Sequence, residues 1–513
     1  MPTKSPHTAL FVYVGALIVM LIVFSGVPYT MLSALYPPPA VLAIQQLVPI
    51  IFVAILLTGL RKRFFPLRLT KQDWLLIGIV LIVAVSAHAP YLTHYFFKED
   101  IAIEIAGAAD ATAGAFPITA SRLYPLSLFS VLYWIGGGSA LLFTAVGFLF
   151  HLVNSALFFV LIKIVTERRA IAAGAALIWA SSPAFLESFA WLGVGVGSGM
   201  AIFLALGVLI LCTSALKGGR TDTRVPLVLS IAFLVAVNAG IVRVGIVPFL
   251  LPLIIFVMTR VQPNLMGMFW ILMKRFWLPI AIGVVAVLYL LLPTISWGEG
   301  ANVLGNRTLT GSVFVTTLFT ITAALFPPAV QEFLTTQLAV SDGALKTTPW
   351  YAFHLIILGE IFLPLVIVVF SRDKIVRAIG LFGWVWFMAS LIPMVIGGGA
   401  QDNYIDVYRS TLKFPYLPGL KQIQFAYFGY TLALSAALYT IFMFFKGKLR
   451  TTAFAIVIGA VTGFFALGSW NYHTEFAAYY SQPLKELVKM INARAPHKNE
   501  YLLVFAPPWF ACE

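Results

Sequence analysis

The sequence predicts an all-α polytopic membrane protein with about 13 transmembrane helices. Of its 513 residues, 61% are hydrophobic and 10% are charged, and the mean hydropathy is +0.96. A water-soluble fold of this composition could not cover its surface with polar side chains. Long apolar runs alternate with short clusters of Lys and Arg. Both observations indicate that lipid surrounds most of the chain.

Thirteen apolar runs are candidate spans, because a helix crosses the hydrocarbon core with ~20 apolar residues. They cover residues 9–27, 41–60, 74–92, 140–164, 170–185, 193–211, 225–241, 244–258, 277–295, 351–370, 378–396, 425–445 and 452–467. The first run has no clear cleavage site, so we expect an uncleaved span. A further run, 313–325, is predicted to be interfacial or re-entrant, because counting it as a span would place two later basic clusters outside.

The charged residues predict the orientation of the chain. Cytoplasmic connections are enriched in Lys and Arg, and with a cytoplasmic N-terminus the connections hold 20 basic residues inside and 8 outside. Of the 19 Asp and Glu residues, 14 fall on the outer side, although insertion does not require them there. We therefore expect the polar chemistry on the outer face and the C-terminus outside, most simply in a bacterial or archaeal plasma membrane.

The net charge of +14 resides in loop clusters of the kind that lie at a membrane face, which argues against a nucleic-acid partner. Cys212 and Cys512 are the two cysteines. The sequence therefore predicts neither a disulfide framework nor a cysteine metal site.

The densest group of polar residues follows the third run. Glu99 and Asp100 are adjacent and come directly after an aromatic stretch, Tyr95 to Phe97, which is typical of the headgroup zone. A carboxylate at that depth can act as a general base toward a hydroxyl or bind a divalent metal, Mg²⁺ or Mn²⁺. The alternative is an ordinary solvated loop.

The acidic pair is followed in chain order by Arg122-Leu-Tyr-Pro125, His151 with Asn154, Arg168-Arg169, Ser181-Ser-Pro183, Glu187 and Trp191. This order resembles the first part of the GT-C superfamily of membrane glycosyltransferases, in particular the protein O-mannosyltransferase-like and polyprenyl-phosphate-sugar-dependent branches. The resemblance covers about residues 90–215 and continues weakly in a late outer loop, 404–419, and in the tail from 470. The chain departs from the family pattern in having two runs before the third helix. The resemblance therefore implies a two-helix extension (1–72), a transmembrane core (73–469) and a short outer-face tail (470–513).

The resemblance implies a GT-C-like core of about 11 helices with catalytic loops on the outer face. It implies inverting transfer of a sugar from a polyprenyl-phosphate-linked donor to a hydroxyl of a glycan, lipid or protein acceptor. Asp100 is then the first choice for the general base, and Glu99 the second. The donor phosphate would be bound by cations of the outer loops, namely Arg122, Arg409 and Lys413. Further candidate site residues are His151, Asn154, Glu187, Tyr404 and Asp406.

Weaker signals leave alternatives open. His151 and Asn154 lie about one turn apart, and interhelical hydrogen bonding is a simpler interpretation for them than ligand binding. Glu187 could assist catalysis or cap a helix. Glu360 is a carboxylate deep in a span, which marks a candidate functional site. An O-antigen ligase- or polymerase-like enzyme and a membrane transporter or flippase are the alternative functions.

The predicted topology can be tested by cysteine accessibility. In a chain that carries Cys212→Ser and Cys512→Ser, a membrane-impermeant maleimide should label Lys98→Cys from the outer side. It should label Lys448→Cys, in a connection predicted to be cytoplasmic, from the inner side. Labelling of position 98 from the cytoplasmic side alone would contradict both the topology and an outer-face enzyme.

Overall fold

The computed structural model describes residues 69–96, 131–133, 135–136, 139–186, 189, 192–217, 348–396, 420–486 and 489. These residues are almost entirely helical and include no β-strand. Three segments among them are long and apolar enough to cross a membrane, namely Lys71–Thr93, Ala140–Thr166 and Gly447–Phe476. The described part therefore has the character of an all-α membrane protein, and the total of thirteen spans stays a prediction.

Eight α-helices are described, and we number them in chain order. They are α1 (Lys71–His88), α2 (Ala140–Thr166), α3 (Arg169–Ala180), α4 (Leu192–Lys217), α5 (Thr348–Val369), α6 (Lys374–Ile396), α7 (Leu420–Phe442) and α8 (Gly447–Phe476). A 3₁₀ turn, Ala89–Thr93, extends α1, and a π-helical turn, Ala477–Ser481, extends α8. Each helix coincides with one of the predicted apolar runs, the third to sixth and the tenth to thirteenth.

Several helices end at other places than the apolar runs indicate, and α3 and α8 show the physical reasons. α3 stops at Ala180, and a 3₁₀ turn, Pro183–Phe185, follows it because Pro183 cannot continue the hydrogen-bond ladder. In contrast, α8 runs nine residues beyond the apolar run that ends at 467, as far as Phe476. One face of this extension, with Tyr472 and His473, is buried against the other helices. Packing, and not apolarity, decides where α8 ends.

Asp73, a fully buried carboxylate in the first turn of α1, is the centre of an ion-pair network at one end of the helices. Its Oδ2 accepts hydrogen bonds from the backbone N–H and the hydroxyl of Thr70, which closes a capping box at the start of α1. Lys163, near the end of α2, binds the same oxygen, and Arg169, at the start of α3, donates to Oδ1 at 2.7 Å. The carboxylate thus connects the ends of three helices.

The connection between α5 and α6 lies at the same face. Asp373 caps α6 by accepting a hydrogen bond from the backbone N–H of Ile375 at 2.8 Å, and it accepts a second one from Arg168 at 3.1 Å. Three basic clusters that the sequence assigns to the cytoplasmic side therefore contribute to one face of the molecule. Which side of the bilayer this face occupies stays a prediction.

The short helix α3 is central to the described part, since it packs against α1, α2, α7 and α8. Most of its twelve residues are buried, and Ala is the commonest of them. Small residues let helix backbones approach closely in a membrane, where apolar burial alone does not drive helices together. On one side of α3, Ser435 of α7 donates a hydrogen bond to the carbonyl of Ile171 at 3.0 Å.

The C-terminal end of α3 is closed by side chains from its neighbours. The carbonyl of Ala180 accepts a hydrogen bond from His151 of α2 at 3.1 Å, and the carbonyl of Ser181 accepts one from Ser469 of α8 at 3.1 Å. The last carbonyls of any helix have no partner within it. Away from water they need protein donors, because an unpaired backbone group there costs several kcal/mol. This requirement brings polar residues of α2 and α8 to the end of α3.

The backbones of α6 and α7 approach closely at two glycines. A Cβ atom added at Gly429 of α7 would lie 2.4 Å from the backbone nitrogen of Phe387, and one added at Gly383 of α6 would lie 2.7 Å from that of Ala433. Because the obstructing atoms are backbone, no rotation of a side chain could relieve the overlap. The two helices can pack at this distance only with glycine at both positions.

The faces of α1 and α8 that point away from the other helices are apolar and exposed. Ile82 on α1 is 66% exposed and Leu467 on α8 is 61% exposed. Other large exposed apolar residues of these two helices are Trp74, Leu75, Val85, Ile456 and Phe464. A soluble protein rarely exposes so large an apolar surface, so these faces fit contact with lipid.

We expect Gly429→Ala to destabilise the protein by about 1–3 kcal/mol, because the added methyl group overpacks the contact between α6 and α7. Gly463→Ala is the matched control, since a Cβ there meets no atom within 4 Å and alanine favours a helix by up to about 1 kcal/mol. Thermal unfolding in detergent, followed by loss of the monodisperse gel-filtration peak, compares the two. Equal melting temperatures for both variants would contradict the close approach.

Candidate functional site

Four of the seven histidines of the chain meet in one buried cluster at the end of α3. His88 ends α1, His94 follows the 3₁₀ turn after it, His151 lies on α2 and His473 on α8. Each of the four is at most 3% exposed. They come from three elements that are far apart in the sequence, so only the fold unites them. We define these four residues as the histidine cluster.

Three rings of the histidine cluster are connected in a line through their nitrogens. Nδ1 of His88 lies 3.0 Å from Nε2 of His473, and Nδ1 of His473 lies 3.3 Å from Nε2 of His94. In each of these N···N hydrogen bonds one ring donates and the other accepts, so the tautomer of one ring sets that of the next. A change of protonation at His94 can therefore pass through His473 to His88.

His94 is also held by two backbone carbonyls. Its Nδ1 lies 3.4 Å from the carbonyl oxygen of Phe189, and its Nε2 lies 3.2 Å from that of His473. A neutral imidazole has one N–H, so it donates to one of these carbonyls at a time. Burial lowers the pKa of His94 to about 4. The ring is therefore neutral near pH 7 and acts as a polar connection between three segments.

Aromatic side chains surround the histidine cluster. The ring of Trp179 stacks on His151 with centroids 5.3 Å apart, and Phe189 packs edge-on against His88 at 5.2 Å. The rings of His88 and His151 are also edge-to-face, at 4.8 Å. Nε2 of His88 and Nδ1 of His151 are buried and have no hydrogen-bond partner among the described residues. This apolar enclosure excludes water from the rings and strengthens the polar contacts inside it.

A metal centre is not formed by the described residues. No group of three or more His, Cys, Asp or Glu side chains within the described ranges is arranged to hold a metal ion. In the histidine cluster, six of the eight ring nitrogens are engaged with another ring or with a backbone carbonyl. The sequence predicts that Glu99 and Asp100 could bind Mg²⁺ or Mn²⁺. Both residues lie outside the described ranges, so metal binding there stays a prediction.

Of the site residues predicted from the sequence, His151 and Asn154 lie in the described part. Both make interhelical hydrogen bonds, His151 to the carbonyl of Ala180 and Asn154 to that of Gly199 on α4 at 2.8 Å. Of the two interpretations that the sequence allows for them, interhelical hydrogen bonding and ligand binding, the contacts agree with the first. The remaining predicted site residues lie outside the described residues: Glu99, Asp100, Arg122, Glu187, Tyr404, Asp406, Arg409 and Lys413.

The sequence interpretation missed His88 and His473. His473 was assigned to the tail because the thirteenth apolar run ends at 467, whereas α8 carries it into the core. One signal was present in the sequence. The predicted topology puts His88, His94 and His473 at the same ends of their spans, on the outer side, and buried histidines in membrane helices usually have a polar partner.

Neither of two comparisons with known proteins gives a relative of this chain. No protein-family model matches it, and a search of curated proteins gives no match. The resemblance to the GT-C superfamily therefore depends on the motifs of the sequence alone.

His94 should make stability depend on pH. Between about pH 6.5 and 4 the unfolded ring binds a proton and the buried one does not. The free energy of unfolding should therefore fall as the pH falls through this window, by about 2 kcal/mol at pH 5 from this group. The melting temperature in detergent should drop between pH 7 and pH 5, and it should drop less in His94→Gln. Glu475→Gln, on the exposed face of α8, should behave like the wild type; an unchanged pH dependence in His94→Gln would contradict the assignment.

Proposed function

We propose that this chain is a membrane glycosyltransferase that moves a sugar from a polyprenyl-phosphate donor to an acceptor hydroxyl at the outer membrane surface. The observation that carries the proposal is the position of His94, from which the acidic segment starts. His94 is buried at the opposite end of α1 from the Asp73 network, and roughly 22 Å of helix separates Asp73 from His88. In the sequence, Glu99 and Asp100 follow His94 by five and six residues.

The contacts of His94 support a catalytic role for the segment that follows it. The two ring nitrogens of His94 contact the carbonyls of Phe189 and His473, one of which accepts its hydrogen bond, and these contacts hold His94 against two other parts of the chain. Phe96, two residues later, is buried and packs edge-on against Phe143 of α2 at 5.3 Å between centroids. Catalytic groups are effective when rigid elements hold their supporting residues.

The chemistry of the proposed step follows from its donor and acceptor. The acceptor oxygen forms a bond to the anomeric carbon while the bond from that carbon to the phosphate oxygen breaks. The hydroxyl proton passes to the carboxylate of Asp100, and the negative charge passes to the polyprenyl phosphate. Arg122, Arg409 and Lys413 are the proposed ligands of that phosphate. One displacement without an enzyme nucleophile inverts the anomeric configuration.

The exposed surface of the helices suits a lipid-linked donor. Val85 of α1 and Trp470 of α8 are 41% and 43% exposed on the two helices that carry His88 and His473. A polyprenyl chain could lie along this apolar surface while its phosphate stays among the lipid headgroups. Trp470 is of the residue type that is enriched at the membrane interface.

The alternative functions make different demands on the structure. A transporter or flippase needs a polar site near the bilayer midplane, and Glu360 is the carboxylate of the described helices that meets this condition. A ligase- or polymerase-like enzyme depends mainly on basic residues of a large late loop, whereas the acidic residues of this chain cluster early. A transfer assay separates these alternatives, because a transporter would not cleave the donor.

We expect Asp100→Asn to lower sugar transfer by about 10²–10⁴-fold, because the amide cannot accept the proton of the acceptor hydroxyl. The assay follows release of polyprenyl phosphate from labelled polyprenyl-phosphate mannose and polyprenyl-phosphate glucose by the purified protein in liposomes. Glu99→Gln tests the second acid, and Asp110→Asn, in the same segment, is the matched control with wild-type turnover expected. Near-normal turnover in both Asp100→Asn and Glu99→Gln would exclude the acidic pair as the catalytic centre.

A further inference from the structure

Glu360 lies near the middle of α5, an otherwise uncharged helix. The rise of an α-helix puts it about 18 Å from the first residue of α5 and about 14 Å from the last. An ionisable residue at such depth is costly and usually functional. The proposed sugar transfer takes place at the membrane surface and does not use this residue.

Among the described residues, the carboxyl group of Glu360 has one hydrogen-bond partner. Its Oε1 accepts a hydrogen bond from the hydroxyl of Tyr430 on α7 at 3.2 Å. Its Oε2 is buried without a hydrogen-bond partner, and no Lys or Arg of the described residues forms an ion pair with it. A charged carboxylate with a single neutral donor in an apolar surrounding is strongly disfavoured, whereas the uncharged acid is tolerated.

The backbone carbonyl of Glu360 also lacks its usual helical hydrogen-bond donor. Pro364 lies inside α5, four residues after Glu360. Because proline has no N–H, it cannot donate the helical hydrogen bond to the carbonyl of residue 360. The backbone of α5 is therefore short of one hydrogen bond in the same turn in which Oε2 of Glu360 has no donor among the described residues.

We propose that Glu360 is a reversible proton-binding site inside the membrane domain. A proton from water forms an O–H bond on Oε2, while Oε1 keeps the hydrogen bond from Tyr430, and release of the proton restores the carboxylate. The titratable groups of α7 that face Glu360 are Tyr430 and Tyr427. The neighbouring side chain on α6 is Trp384, whose indole N–H donates to the carbonyl of Ile361 at 3.3 Å. None of these groups carries a compensating positive charge.

The helix surface next to Glu360 is open to a lipid-soluble reagent. Leu363, one turn away, is 57% exposed, and a Cβ added at Gly359 would meet no atom within 4 Å. Hydrophobic carbodiimides react with protonated carboxyl groups in membranes and leave charged carboxylates in water largely unmodified. Such a reagent therefore reports both the access to Glu360 and its protonation.

The test is labelling of the full-length protein in liposomes with a fluorescent hydrophobic carbodiimide, with the modified residue located by peptide mass spectrometry. We expect labelling of Glu360 that increases as the pH is lowered. Glu360→Gln should abolish this labelling, and Glu475→Gln, at an exposed position of α8, should leave it unchanged. Tyr430→Phe should raise the pH at half-maximal labelling by about one unit or more, because it removes a hydrogen bond that favours the charged form.

Two results would overturn the proposal. One is that Glu360 is not modified at any pH, or to the same extent at every pH, in a protein that elutes as a monodisperse peak in gel filtration. The other is that sodium chloride protects Glu360 at constant pH while choline chloride does not, which would identify a sodium site in place of a proton site. Neither result depends on sugar transfer, so this test is independent of the proposed function.

Discussion

The buried carboxylate of Asp73 is the constraint on which the arrangement of the first helices depends. It caps α1 through Thr70 and binds Lys163 of α2 and Arg169 of α3. Removing one partner from a buried ion pair is costly, because the other charge stays in an apolar surrounding. The three helix ends are therefore fixed with respect to each other, and this fixes which residues of α1 and α2 meet at the far end of α3.

The polar groups at that far end are of a different kind. His151 and Ser469, and not ion pairs, satisfy the carbonyls of Ala180 and Ser181 at the end of α3, and contacts between histidine rings connect α1 and α8 beside them. Burial lowers the pKa of His94 to about 4, so the ring carries no charge that would need a counter-ion. His94 therefore brings no counter-charge to the acidic pair, which follows it in the sequence by five and six residues and to which we assign the proposed sugar transfer.

Close packing elsewhere in the described part depends on small residues, as expected where lipid surrounds the helices. Gly383 and Gly429 bring the backbones of α6 and α7 together, and α7 in turn packs against α5, where Tyr430 contacts Glu360. Pro364 and Glu360 lie one turn apart in α5, and both are residues that a structural helix in lipid would usually avoid. Departures from local preference of this kind are expected at functional sites, which is why this pair supports a role beyond packing.

The sequence by itself determined the class of the protein and the location of all eight described helices, because the length and apolarity of a membrane helix are set locally by the thickness of the bilayer. It also identified Glu360, His151 and Asn154, since polar residues inside apolar runs are visible without a structure. Only the tertiary structure decided that α8 continues to Phe476 and that His473 joins His88 and His94. Helix ends and long-range polar contacts depend on which buried groups of other helices need a partner, and the local sequence does not contain that information.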